Sequence, residues 1–363
     1  MKMIKLKIAA LPLLFCVMLN IRAQNLYNVS LSYQYGSSFN YGGEPEYGNT
    51  VPSGVELNFN KQRCGEEHWE KIFNYPQTGW SLSLIDHRNK YLGSTIALNR
   101  YMNYVFLRKK RVESYLRLSA GFLYPTKIYG DNDHANKNYN SAVSQHLNFS
   151  AELGLGVNIY PTSRWSLNLG ATLMHVSNGA MSQPNDGLNL LMFKCGAGYN
   201  IGDRKEMKFK QPDALEEDRS VKYNFFLGTG FKQIDNDNEE KYRLLTMSFY
   251  ADKKVSRVNA LNAGIDVFMN RAVEYIIERN PEYKGKDFKR VGISAGHELF
   301  IGKLGVLTQF GYHVYSPYPA FSNFYQKFGL KYYFNDMFFA AVNLRIFKFE
   351  ISDEITWGVG VRL

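Results

Sequence analysis

The sequence predicts an all-β protein, an antiparallel transmembrane β-barrel of about 14–16 strands, and three observations carry that reading. After a short apolar leader, no later stretch has the ~18 consecutive apolar residues of a membrane helix. The chain is rich in aromatic residues, with 26 Tyr and 25 Phe among 363 residues. Polarity alternates residue by residue through segments of about 10 to 15 residues, the period of a strand with two unlike faces.

The leader comes first. Lys2, Lys5 and Lys7 precede an apolar run at 8–19, and Ile21-Arg22-Ala23 offers a cleavage point after Ala23. The run falls short of the ~20 residues of a membrane span, so residues 1–23 are expected to be a signal peptide. Cys16 has no small residues before it, which speaks against a lipoprotein signal. The mature chain keeps Cys64 and Cys195, which could pair in an oxidising compartment or stay as two free thiols. Four positive charges of the net +10 leave with the leader. The remaining ones are scattered among acids, so no nucleic-acid partner is expected.

The strands follow. In 146–160, Leu147, Phe149, Ala151, Leu153, Leu155, Val157 and Ile159 alternate with His146, Asn148, Ser150, Glu152, Gly154, Gly156 and Asn158. A sandwich strand is usually ~5–6 residues long, whereas a membrane strand needs ~9–11. The apolar row should therefore face lipid and the polar row the lumen. Similar segments lie at 27–39, 51–60, 78–88, 92–106, 112–124, 164–177 and 187–201. They resume at 221–234, 242–252, 258–269, 288–301, 305–316, 323–334, 338–349 and 351–363. Trp80, Tyr91, Tyr124, Tyr160, Trp165, Tyr199, Tyr332 and Trp357 recur near segment ends, as interfacial girdles do.

Short turns at 161–163 and 335–336 alternate with longer loops such as 125–145, which sets the short turns on the periplasmic side. The segment 164–177 then runs outward, and Arg108-Lys109-Lys110-Arg111 becomes a solvated periplasmic turn. Segment 62–75 is long for such a turn. Residues 24–202 and 221–363 are expected to be two halves of one large barrel, joined by a charged periplasmic connector at 203–220. The alternative is an eight-stranded barrel followed by a second barrel-like half.

Chemistry concentrates at 174–189. Trp165, Leu167, Leu169, Ala171 and Leu173 form a lipid row that His175 and Ser177 continue. Residues two apart on a strand share a face, so imidazole and hydroxyl can act as base and nucleophile. A polar pair on the outside of a barrel is costly unless its substrate is there, which points to a lipid. Asn189 begins the facing row, beside His175 in an antiparallel hairpin, where a residue orienting the imidazole would sit. The loop from Asn178-Gly179 to Pro184-Asn185-Asp186-Gly187 can turn N–H groups and an amide toward an oxyanion. By itself an H-x-S pair in a strand has little specificity.

The block His175-Val176-Ser177-Asn178-Gly179, followed by Pro184-Asn185-Asp186-Gly187 and Asn189, resembles the lipid A deacylase family of outer-membrane β-barrel esterases. The resemblance spans roughly 69–202 and includes Tyr75-Pro76, Gly79 and the loop 129–140 leading into Gln145-His146-Leu147-Asn148. The longer, two-part chain looks like the acyloxyacyl hydrolase-type proteins of Gram-negative bacteria. The resemblance implies Ser177 as nucleophile, His175 as general base, and Asn178, Gly179 and Asn185 at the oxyanion site. It also implies lipid A or lipopolysaccharide of the outer leaflet as substrate, the outer membrane as location, and no cofactor or metal. Asn189 departs from the pattern, standing where the family carries a glutamate. Asp186, the nearest other acid, reads as a turn residue. His297, the pair Asp86-His87 and the group Asp131, Asp133 and His134 show no catalytic or metal-ligand spacing. Two rival readings are a non-catalytic barrel with a decayed site, as pore or envelope-structural protein, and a phospholipase barrel.

Overall fold

The computed structural model describes residues 26–39, 48–133, 136–137, 140–206, 208–211, 218–235, 240–318, 322–349 and 351–363. The expected signal peptide lies outside the described residues. Each alternating segment forms a strand, within a few residues of its expected bounds. The first eight are β1 (Tyr27–Ser38), β2 (Ser53–Gln62), β3 (Gln77–Asp86), β4 (Ser94–Arg108), β5 (Val112–Pro125), β6 (Asn148–Ile159), β7 (Trp165–Ser177) and β8 (Leu188–Ile201). The second eight are β9 (Val221–Gln233), β10 (Lys241–Ser256), β11 (Asn259–Asn270), β12 (Lys289–Ile301), β13 (Leu304–Tyr315), β14 (Phe324–Tyr333), β15 (Phe338–Phe347) and β16 (Ile351–Arg362).

The single large barrel expected from the sequence does not form. β8 returns to pair with β1, from Tyr27 opposite Ile201 to Ser38 opposite Leu190. β9 pairs with β16 from Asn224 opposite Arg362 to Thr229 opposite Trp357. Two closed eight-stranded antiparallel barrels result, the architecture held as the alternative. Period-two alternation specifies which residues face lipid, and both closures satisfy it equally. What decides is the interior: eight strands enclose a space that side chains just fill, and these lumens are filled.

In the first barrel, Lys194 lies 2.5 Å from Glu56 and 3.6 Å from Glu152, while Arg117 reaches Glu56 at 3.1 Å. In the second, Lys331 meets Glu298 at 2.9 Å, and Arg345 meets Asp353 at 2.6 Å and Glu354 at 3.0 Å. The outer end of the first lumen is different, an apolar plug of Ile85, Leu92, Leu123, Val143, Met174, Val176, Leu190 and their neighbours. Outside, the rows are apolar and uncovered, as at Leu155, which is 59% exposed. No helix among the described residues is long and apolar enough to cross a membrane.

The long turn 63–76 holds a short helix, α1 (His68–Ile72). The buried Glu70 carboxylate accepts the N–H groups of Gly65 and Glu66 at 2.8 and 2.9 Å, which ties the turn to itself. A second helix, α2 (Arg271–Arg279), follows β11. The Asn270 side chain caps it by accepting from the N–H of Ala272.

Candidate active site

β7 carries the site because its two faces meet different surroundings. Met174 and Val176 turn inward and are fully buried in the apolar plug, with Leu188, Leu190 and Met192 of β8. That anchoring leaves the alternate residues, His175 and Ser177, on the outward face at the end of the strand. His175 is exposed and Ser177 half-exposed. Register places Asn189 directly opposite His175, and Phe149 of β6 opposite Ser177.

The imidazole Nδ1 and the Asn189 Oδ1 lie 2.7 Å apart. An amide oxygen can only accept, so Nδ1 carries the proton in this contact and Nε2 keeps a free lone pair. Of the sequence-predicted site residues, His175 and Asn189 are thus in contact. Among the described residues no hydrogen bond joins Ser177 to His175; such contacts often tighten only when substrate is bound. Asp186 is exposed and is not hydrogen-bonded to the imidazole.

The loop 178–187 is held from three directions. The Asn178 N–H donates to the Asn185 Oδ1 at 2.9 Å, and the Asn178 Nδ2 donates to the Ser182 carbonyl at 3.0 Å. Asn178, whose Nδ2 also reaches the Ser144 hydroxyl at 3.5 Å, is therefore committed to holding the loop, whereas the Asn185 amide is pinned through its oxygen and its NH2 has no hydrogen bond among the described residues. Gly179 and Gly187 have φ of +66° and +79°, a region glycine enters without cost. A Cβ at Gly187 would also approach the His175 Cε1 to 3.1 Å, so glycine leaves the imidazole its place.

The second support was not foreseen from the sequence. The N–H groups of Asp186 and Gly187 donate to the carbonyls of Ser141 and Ala142, each at 3.1 Å, and the Ser182 hydroxyl reaches the Gln145 Oε1 at 3.1 Å. Ala142 and Val143 are themselves seated in the plug. The available signal was the uncharged Ser141-Ala142-Val143 inside an otherwise polar loop. The third support comes from Gln233 of the second barrel.

The other candidates lie elsewhere. His87 is buried beyond the end of β3, its Nε2 3.0 Å from the Thr95 hydroxyl. His297 pairs with Asn259 at 2.8 Å. The side chains of Asp133 and His134 fall outside the described residues, and among the described ones no group of His, Cys, Asp and Glu is arranged to hold a metal. Cys64 and Cys195 are both free thiols.

Two family models match the chain. Residues 53–198 match "Lipid A 3-O-deacylase (PagL)" and residues 221–363 match "Acyloxyacyl hydrolase, C-terminal domain". No curated protein matches. Among solved structures, the chain is similar to Neisserial surface protein A, at 12% identity and TM-score 0.32, over 48% of this chain and 96% of that one. It is similar to the attachment invasion locus protein Ail of Yersinia pestis, at 13% identity and TM-score 0.31, over 49% and 99%. It is similar to the outer membrane enzyme PagL, at 18% identity and TM-score 0.29, over 47% and 98%. With one model running through the first barrel from β2 to β8 and the other covering the second barrel entire, the chain belongs to the lipid A 3-O-deacylase (PagL) family, in a form that carries the acyloxyacyl hydrolase C-terminal domain.

Proposed function

We propose that the protein is an outer-membrane serine esterase that removes an ester-linked acyl chain from lipid A or a related outer-leaflet lipid. The observation that carries this is the His175–Asn189 contact of 2.7 Å on the lipid-facing row, two residues from Ser177. An imidazole fixed in one tautomer beside a hydroxyl has no structural task on the outside of a barrel. It suits a substrate that arrives through the membrane.

Ser177 Oγ attacks the acyl carbonyl while its proton passes to the His175 Nε2. The Asn185 Nδ2 and the Gly179 N–H are the donors that support the developing oxyanion. Collapse of the tetrahedral intermediate breaks the ester bond, and the imidazolium returns the proton to the leaving sugar oxygen. Water, deprotonated by the same imidazole, then attacks the acyl-enzyme, releasing the fatty acid and restoring Ser177. The acyl chain finds an apolar bed in the exposed Leu147 and Leu173, with Phe149 opposite the serine.

Lipid A from cells expressing Ser177→Ala, compared by mass spectrometry with that from wild-type cells, tests the reading. Retained acyl chains are expected in the variant; deacylation equal to wild type from a folded Ser177→Ala barrel would sink it. Purified phospholipid and lipid A offered side by side separate a phospholipase from a lipid A esterase.

A further inference from the structure

Ile355 lies on the outward row of β16 with Trp357 and Val359. Val359 is 63% exposed, yet Ile355 is only 5% exposed. What covers it is the first barrel's loop: a Cβ on Gly179 would stand 2.8 Å from the Ile355 Cβ and 2.9 Å from its Cγ2. Glycine at 179 thus admits a close approach as well as a positive φ.

The β9–β16 ladder stops at Thr229 opposite Trp357, so the last residues of β9 have no registered partner on β16. Unpaired backbone groups at a buried edge are costly. The loop supplies a partner for the last of them. The Gln233 N–H donates to the Ala180 carbonyl at 3.4 Å, and the Gln183 N–H donates to the Gln233 Oε1 at 3.0 Å. Gln233 is buried in the process. Loop 178–187 therefore caps the end of β9 while the second barrel clamps the loop.

We propose that Gln233 and Ile355 of the second barrel are positioning residues for the first barrel's site, holding 179–183 so that the Gly179 N–H and the Asn185 amide keep their aim. The role rests on the esterase reading of His175 and Ser177. It gives the second barrel a task in the chemistry without contact to substrate: Ser141, Ala142 and Gln145 hold 182, 186 and 187, and Gln233 and Ile355 hold 179, 180 and 183.

The test uses the full-length protein with Gln233→Leu, which removes the acceptor, Gln233→Glu, which keeps it, Ile355→Ala, and Val359→Ala as a control on the same row. Kinetics on lipid A and hydrogen exchange over 178–187 are both read. Gln233→Leu and Ile355→Ala are expected to lower kcat by roughly ten- to a hundredfold with KM nearly unchanged, and to speed loop exchange while strand exchange stays the same. Gln233→Glu should restore both, and Val359→Ala should change neither. Loop exchange equal to wild type in Gln233→Leu and Ile355→Ala overturns the positioning role whatever Ser177 does. Activity surviving in Ser177→Ala overturns the esterase reading instead, so the two failures are distinguishable.

Discussion

The Asn189 amide oxygen fixes the imidazole tautomer of His175 but cannot balance the charge of an imidazolium as a carboxylate does. Asn189→Glu should therefore raise kcat on lipid A, by about tenfold where charge stabilisation is the missing part. Asn189→Leu, which leaves Nδ1 without an acceptor, should lower it by about a hundredfold or more; steady-state kinetics of both variants check the pair. The opposing row of Asn189 was legible in the sequence because antiparallel register and period-two alternation place it without further information. The work of Asn178 was not. Its N–H and side-chain donors turn back into the loop, toward Asn185 and Ser182, and that folding-back depends on φ values that no periodicity encodes.

Strands were readable and their supports were less so. Alternation located all the barrel strands, but α2 follows β11 over only nine residues, too few for a helical period to stand out. The strand interiors make their own prediction. Glu56 pairs with both Arg117 and Lys194 inside the first barrel. Glu56→Ala should cost about 3–5 kcal/mol, the usual result of stranding buried charge, read as a lower urea midpoint of the refolded barrel. Beyond the end of β3, burial holds the His87 imidazole down at about 4, with Asp86 pulling weakly the other way. When this end opens, the ring titrates near its ordinary 6.5. Between those two values the opened state binds more protons, so stability is fully present above pH ~6.5 and falls as pH drops toward ~4, by about 3 kcal/mol in all. Hydrogen exchange of residues 87–95, corrected for the intrinsic rate, should show protection lost across that window in wild type and a flatter profile in His87→Gln.

At the scale of the molecule, the number of strands was legible and their closure was not, because lipid-facing and lumen-facing rows look the same in one barrel or two. The interior ion pairs of Lys194 with Glu56, Lys232 with Asp353 and Arg362 with Asp252 are what distinguish them, and they join residues far apart in the chain. Because such side chains fill both lumens among the described residues, planar-bilayer recordings of the full chain should show no steady ionic current, and a stable conductance would favour the pore reading. Eight is an even number, and that has a consequence for where the second barrel can help. A chain that crosses a membrane an even number of times comes back to the side it left, so the connector after β8 and the start of β9 lie on the same side as the start of β1. The second barrel is then inserted the same way up as the first, and the far end of its opening strand arrives level with the loop beside Ser177. An odd count would have presented the other end of that strand. Parity alone thus permits the clamp at Gln233, and it would survive the gain or loss of a hairpin but not of a single strand.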